Sequence, residues 1–324
     1  MNTQLLRRLA RTTVLVGAIA LLTGCLRFDV AHLSSDRFDG RDNNTPGGVA
    51  ARDYLIDTLA QYAPGAMAAQ TGDAAYTQTF PDGVNVLGRV TGTTRPDEHV
   101  IIGGHYDHHS YCGSSDGDII CNGATDNATG AAMVLEAARR FAADPPDRTV
   151  VFALWDAEED GLLGSKHYVE HPVLPLAQTV AYLNMDIMGA DLLPTLRSNT
   201  FAIGAETGGA TLQDAVGTAY DESTLDGVQL SALFGQYRSD YASFVGKQVP
   251  TVFFTDSTGP CYHTVDDELE IVDFPKLEQQ TDVLYRTAAT LAYDDPADPG
   301  TFVTPTWESR PAVTHDDAAG LLGG

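Results

Sequence analysis

Basic residues are scarce in this chain. Lys and Arg total 19 against 44 Asp and Glu in 324 residues, which leaves a formal charge of -25. A phosphate backbone is held by clustered Lys and Arg, so nucleic acid is not an expected partner. The acidity reads as a solvated surface that favours solubility, and it says little about substrate. Long apolar runs are also missing: Val14 to Leu22 is an apolar stretch of nine residues near the N-terminus, too short to span a bilayer as a helix. No second span follows it, and no internal repeat is found. Cysteine is rare, with four in the whole chain.

That short apolar stretch fits an export signal. Arg7, Arg8 and Arg11 form a positive region before it, and it ends in Leu22-Thr23-Gly24-Cys25. Small residues before a cysteine resemble a bacterial lipobox, so residues 1–24 are expected to be a lipoprotein signal peptide and Cys25 to carry the lipid. The alternative is a plain cleaved signal followed by a chance cysteine. Leu26, not Asp, follows Cys25, which favours outer-membrane sorting in a Gram-negative cell. The expected location is therefore outside the cytoplasm, at the envelope membrane. That compartment is oxidising. Cys112 and Cys121 flank one polar, Gly-rich loop and are expected to pair as a disulfide. Cys261 is left over, either as a free thiol or as a competitor for that pairing.

Along the rest of the chain, residues 26–46 are polar and read as an irregular lead-in. Apolar residues at helical spacing predict a helix over Val49–Ala63, then strands at Val84–Val90 and Glu98–Gly103. Gly130–Phe141 reads as a helix. Val150–Trp155 is an unbroken apolar run, the pattern of a strand buried on both faces. A short helix follows at Leu162–Glu170 and a strand at Thr179–Met185. Thr211–Tyr220 and Asp240–Val245 read as helices, Thr251–Phe254 as a strand and Pro275–Tyr293 as the last helix. From Asp294 onward Pro, Asp, Gly and Ala dominate, so residues 294–324 read as an exposed tail. Strands alternating with helices predict an α/β fold with a mixed, largely parallel central sheet and helices on both faces.

Five segments put a carboxylate or an imidazole at, or just beyond, the C-terminal end of a predicted strand or in a loop. That is where open α/β sheets bind ligands. They are His105-Tyr106-Asp107, the loop from Gly123 to Gly130 with Asp126, Asp156-Ala157-Glu158-Glu159, Asn184-Met185-Asp186, and Gly259-Pro260-Cys261-Tyr262-His263. Imidazoles and carboxylates converging from separate strands suit Zn²⁺, which takes N and O ligands. Singly, each has an ordinary reading: a surface pair, a solvated acidic face, a structural histidine, and for Asp126 a helix N-cap.

Taken as a set in this order, the segments resemble the zinc-dependent aminopeptidase family that includes the secreted bacterial leucine aminopeptidases. The resemblance extends from the helix at Val49 to the one after Pro275, so residues 47–293 would be the zinc peptidase domain. Gly161-Leu162-Leu163-Gly164-Ser165 and Ser239-Asp240-Tyr241 match as well. The resemblance implies two zinc ions per chain, with His105 and Asp186 on one, Glu159 and His263 on the other, and Asp126 bridging them at a separation of about 3.5–4 Å. Asp107 would orient His105, and Glu158 would be the general base. Tyr262 would face the developing oxyanion or serve only as a packing aromatic, and Asp240 would help shape the substrate pocket. The implied reaction is hydrolysis of the N-terminal residue from peptides. The implied partners are peptides and, through Cys25, a membrane. No oligomeric state is implied.

Two departures stand out. Asn127 follows Asp126 where many relatives have a second Asp, at a bond that is often cis in the family. The segment Ser110–Asn122, with its two cysteines, lies beside the site in sequence and would narrow the cleft. Three rivals remain. A glutaminyl-cyclase-like acyltransferase on the same fold typically has Trp where Tyr262 stands. A serine hydrolase is suggested by Gly113-Ser114-Ser115-Asp116-Gly117, a motif that requires a strand before it and a helix after it. A non-catalytic peptide-binding relative would have lost ligands that are intact here. The further histidines His108, His109, His167 and His171 read as surface or loop residues.

Overall fold

Eight consecutive buried residues, Arg148–Trp155, form strand β4 near the middle of the sheet. Side chains alternate across a strand, and both of its faces are apolar. Val150, Phe152 and Leu154 pack into one core cluster, while Val151, Ala153 and Trp155 pack into another on the opposite face. The neighbouring strand β3, Arg95–His105, repeats the pattern with Val100 and Ile102 on one side and Ile101 on the other. Each such burial contributes about 1.5–3 kcal/mol.

The structure is a computed structural model, and it describes residues 25–191, 194–293 and 301–306. The remaining strands are β1 (Thr77–Phe80), β2 (Gly83–Val90), β5 (Thr179–Met185), β6 (Asn199–Ile203), β7 (Asp226–Leu230) and β8 (Thr251–Thr255). They form one eight-stranded sheet in the order β1-β2-β4-β3-β5-β8-β6-β7. The central block β4-β3-β5-β8 is parallel throughout, and β6-β7 is parallel too. The pairs β1-β2, β2-β4 and β6-β8 are antiparallel. The sheet is therefore mixed and mostly parallel, as expected.

The helices are α1 (residues 25–33), α2 (Pro46–Leu59), α3 (Thr129–Ala143), α4 (Leu163–Glu170), α5 (Gly209–Asp221), α6 (Tyr241–Val245) and α7 (Phe274–Tyr293). Residues of α2, α3, α5 and α7 pack in the first cluster, and residues of α4 and α6 in the second. Helices thus cover both faces. Among the described residues, no helix is long and apolar enough to cross a membrane.

The lead-in is not irregular. Leu26, Val30 and Leu33, four and three residues apart, bury one face of α1. Asp29 in that helix bonds Arg139 of α3 at 2.6 Å, and a 3-10 helix follows at Asp36–Arg41. Of the tail, residues 301–306 are described: they have no regular secondary structure and are exposed or half-buried, as expected, while Val303 N donates to Thr207 O at 2.7 Å and Phe302 packs on the second cluster. Residues 1–24, 294–300 and 307–324 lie outside the described residues, and with them the signal segment and most of the tail. Strands β1, β6 and β7 were not expected. They lie at or beside the sheet edges, where exposed and polar residues interrupt the apolar pattern.

Candidate metal centre

The central strands run parallel, so the segments leaving their C-terminal ends meet at one edge of the sheet. His105 is the last residue of β3. Glu158 and Glu159 follow β4, and Asp186 follows β5 directly. Asp126 sits in the turn Ala124–Ala128 that enters α3, and His263 lies in the loop after β8. All five predicted ligands come together there. His105 Nε2 lies 3.3 Å from Asp126 Oδ1 and 3.3 Å from Asp186 Oδ1. His263 Nε2 lies 3.2 Å from Asp126 Oδ2 and 3.2 Å from Glu159 Oε2. Asp126 therefore turns one oxygen to each imidazole–carboxylate pair. Glu158 joins the His105 side, where ligand atoms of His105, Glu158 and Asp186 lie within 4.8 Å of one another.

Asp126 is not a helix N-cap. Its backbone N–H donates to Asp267 Oδ2 at 3.0 Å, and the Asp126–Asn127 peptide bond is cis. The neighbouring amide explains why Asn serves at position 127. Its Nδ2 donates to Met185 O at 2.9 Å and its Oδ1 accepts from Gly130 N at 3.1 Å. It thereby joins the Asp126 turn to the strand end that carries Asp186.

Asp107 is placed differently from the expectation for an imidazole partner. His105 Nδ1 meets the Asp107 carbonyl at 3.1 Å, while the carboxylate is 3.7 Å away. That carboxylate accepts instead from the backbone N–H groups of Glu158 at 3.0 Å and Glu159 at 3.2 Å. It holds the two glutamates in register with His105.

Arg41 was missed. Its fully buried guanidinium donates to Tyr106 O at 2.9 Å, Leu33 O at 2.7 Å, Asn122 O at 2.6 Å and Gly123 O at 3.0 Å. One side chain thus ties α1 to the segments that carry His105 and Asp126. No sequence motif marks it.

The additional histidines divide. His167 and His171 stack on each other on and just after α4, apart from the centre. His109 is partly exposed, with Nε2 at 3.3 Å from Glu159 Oε2. His108, read from the sequence as a surface or loop residue, is fully buried inside the centre, with Nδ1 at 2.7 Å from Glu159 Oε1. It follows Asp107 into the site because β3 ends there.

The electrostatics follow from crowded carboxylates with few cations. Burial and Glu159 push Asp126 up, but the imidazoles of His105 and His263 outweigh them and bring it down to about 2. Burial also raises Glu159, yet His108, His109 and His263 hold it below the usual carboxylate range. Burial would lower His263, but Asp126 and Glu159 lift it to about 10. Desolvation raises Glu158 well above its ordinary value; His105 opposes this, and Asp186, Asp240 and Glu159 add to it. Burial raises Asp107 to about 8 and Asp240 to about 7. Asp240 is fully buried, and among the described residues neither of its oxygens has a well-formed hydrogen bond. Tyr262 is 38% exposed, with its ring stacked on His263 at a centroid distance of 3.8 Å.

Cys112 and Cys121 form the expected disulfide, and Cys261 is free. Residues 113–117 make a loop with a bridge between Ser115 and Asp118. The strand-turn-helix context of a serine nucleophile is not there.

These residues fit divalent cations. His263 Nε2 lies near two carboxylate oxygens yet makes no aligned hydrogen bond with either. A nitrogen and oxygens gathered in this way match the donor set and spacing of zinc sites.

Comparison with known proteins agrees with this geometry. Residues 85–288 match the family described as Peptidase family M28. Among curated proteins, the chain is 32% identical over 224 residues to the "Probable glutamate carboxypeptidase LAMP1" of Arabidopsis thaliana. That match covers 64% of this chain and 30% of the plant protein, so the chain spans about a third of that relative's length. Among solved structures, an aminopeptidase from Aneurinibacillus sp. strain AM-1 superposes with a TM-score of 0.52 at 25% identity, covering 68% of this chain and 50% of that one. A Zn-dependent exopeptidase from Parabacteroides distasonis shares the fold, with a TM-score of 0.66 at 17% identity and coverage of 82% and 97%.

Proposed function

The chain belongs to peptidase family M28, and from that membership we propose that it is a metallo-exopeptidase that removes the N-terminal residue from peptides at a centre of two zinc ions. The observation that carries this reading is the division of Asp126, with Oδ1 at 3.3 Å from His105 and Oδ2 at 3.2 Å from His263. His105 and Asp186 would hold one ion, Glu159 and His263 the other, and Asp126 one oxygen's share of each. When bound, the ions would supply Lewis acidity, polarising the scissile carbonyl and acidifying water beside it.

The chain's own side chains do the rest. Glu158 takes the proton of the attacking water and passes it to the leaving amine. A raised proton affinity suits that task, and nearby cations would lower it again. Asp107 fixes the backbone of Glu158 and Glu159 through two N–H bonds. Tyr262, whose ring stacks on His263, would steady a developing oxyanion through its hydroxyl. The surplus of carboxylates favours a substrate end that is positively charged, a free α-amine.

The plant relative's printed name offers carboxypeptidase action as a second reading. Peptides with either end blocked separate the two. An amidated peptide with a free amine is expected to be cleaved at its first bond, and the N-acetylated peptide with a free carboxylate to resist. The reverse pattern would reverse the assignment. We further propose that Cys25 is lipidated after export. Replacing Cys25 with Ser is then expected to move the protein from the membrane to the soluble fraction, and an unchanged partition would refute the anchor.

A further inference from the structure

The five ligands above leave two imidazoles beside Glu159 without a role, the partly exposed His109 and the fully buried His108. We infer that His108 is a ligand to the cation shared by Glu159 and His263, which makes that site a four-residue cage of two imidazoles and two carboxylates. The inference rests on the two-cation reading and adds to it.

Three observations carry it. The first is position: ligand atoms of His108, Asp126, Glu159 and His263 all lie within 4.8 Å of one another. His108 Nδ1 is 2.7 Å from Glu159 Oε1 and 4.0 Å from Asp126 Oδ2. His263 Nε2 is 3.2 Å from Asp126 Oδ2 and 3.2 Å from Glu159 Oε2, so four donor atoms from four residues gather within reach of one ion. Two nitrogens and two oxygens are a donor set that zinc takes in tetrahedral sites. The second is that the ring is held in place. Gly123 has φ +52, and a Cβ there would stand 2.5 Å from His108 Cδ2 and 2.7 Å from Cγ, so the glycine backbone forms a wall against the imidazole. The third is economy of partners: His108 is wholly buried, and among the described residues its Nε2 has no hydrogen-bond partner. The polar engagement of the ring is therefore confined to Nδ1, which faces the carboxylates.

His105 and His108 leave β3 on one short segment and serve opposite oxygens of Asp126. The two sites then differ. On the other side His105, Asp186 and Asp126 give three protein donors, and Glu158 stands beside them. The cage with His108 retains its ion more tightly, and the site next to Glu158 keeps more open positions for substrate and water.

The test uses the full chain loaded with Co²⁺, read by the solvent-exchangeable, hyperfine-shifted imidazole N–H signals in the proton NMR spectrum. Three such signals are expected, from His105, His108 and His263, with one lost in His108→Asn. Signals of His105 and His263 alone, unchanged by the substitution, would overturn the assignment and leave the two-cation centre standing. Failure of the wild-type chain to take up cobalt would instead overturn that centre, and this inference with it. Calorimetric titration with Zn²⁺ gives a second readout. His108→Asn is expected to weaken one of two binding steps by at least about tenfold, and two unchanged steps would count against a direct bond. Because the NMR count is made on the wild-type chain, it decides the matter even if the variant does not fold.

Discussion

Asp29, Glu136 and Asp256 are as deeply buried as Asp107, Asp126 and Asp240, yet the two groups are neutralised in different ways. Asp29 meets Arg139 at 2.6 Å, Glu136 meets Arg140 at 2.9 Å, and Asp256 meets Lys276 at 3.0 Å. Among the described residues, no Lys or Arg is ion-paired with Asp107, Asp126, Glu158, Glu159, Asp186 or Asp240. Histidines stand nearby, and the buried Arg41 is spent on backbone carbonyls. Burying a carboxylate without a counter-charge is costly. Asp29 joins α1 to α3, Glu136 is held within α3, and Asp256 joins the segment after β8 to α7, so folding alone accounts for the first group. The second is left to imidazoles and to retained protons, a shortage of positive charge that divalent cations would fill, and that separates this cluster from the structural ones.

The contrast can be broken from either side. The largest effect is expected from Glu158→Gln, which should lower turnover by about 10²–10⁴-fold while zinc content and thermal midpoint stay close to wild type. Turnover within a few-fold of wild type would remove Glu158 as the base. Next comes Lys276→Met in the structural group. It strands Asp256 and should cost about 3–5 kcal/mol in urea unfolding without altering zinc stoichiometry. Full stability in that variant would mean that the bonds from Gln280 and Ala190 N suffice for Asp256.

The smallest effect concerns Asp240. In the metal-free chain burial holds its pKa at about 7 against the ordinary 3.8. The folded form therefore keeps a proton that the unfolded form releases. Its contribution to stability falls as pH rises from about 4 to about 7. Asp240→Asn should flatten that slope, and an unaltered pH profile would show that Asp240 is not the group responsible.

Much of this was legible in the sequence because the central strands are buried on both faces. Val150–Trp155 is apolar without a break, so the strand and the ligands after it could be placed together. Strand β7 at the sheet edge and β6 beside it carry Asn199, Thr200, Asp226 and Gln229, and no two-residue period survives to reveal them. Helix α1 showed Leu26, Val30 and Leu33 at helical spacing, but polar neighbours concealed the signal. Arg41 and Asp107 act through backbone atoms of other segments, contacts that exist only after folding. His108 was misjudged because a histidine beside a loop carries no mark of burial.

The most direct test of the account is a zinc titration of the metal-stripped protein, followed by its hydrolysis of an amidated peptide with a free amine. The account predicts no hydrolysis before zinc is added, and activity restored as two equivalents bind per chain. A protein that binds no zinc tightly and cleaves the peptide equally well under strong chelation would contradict it.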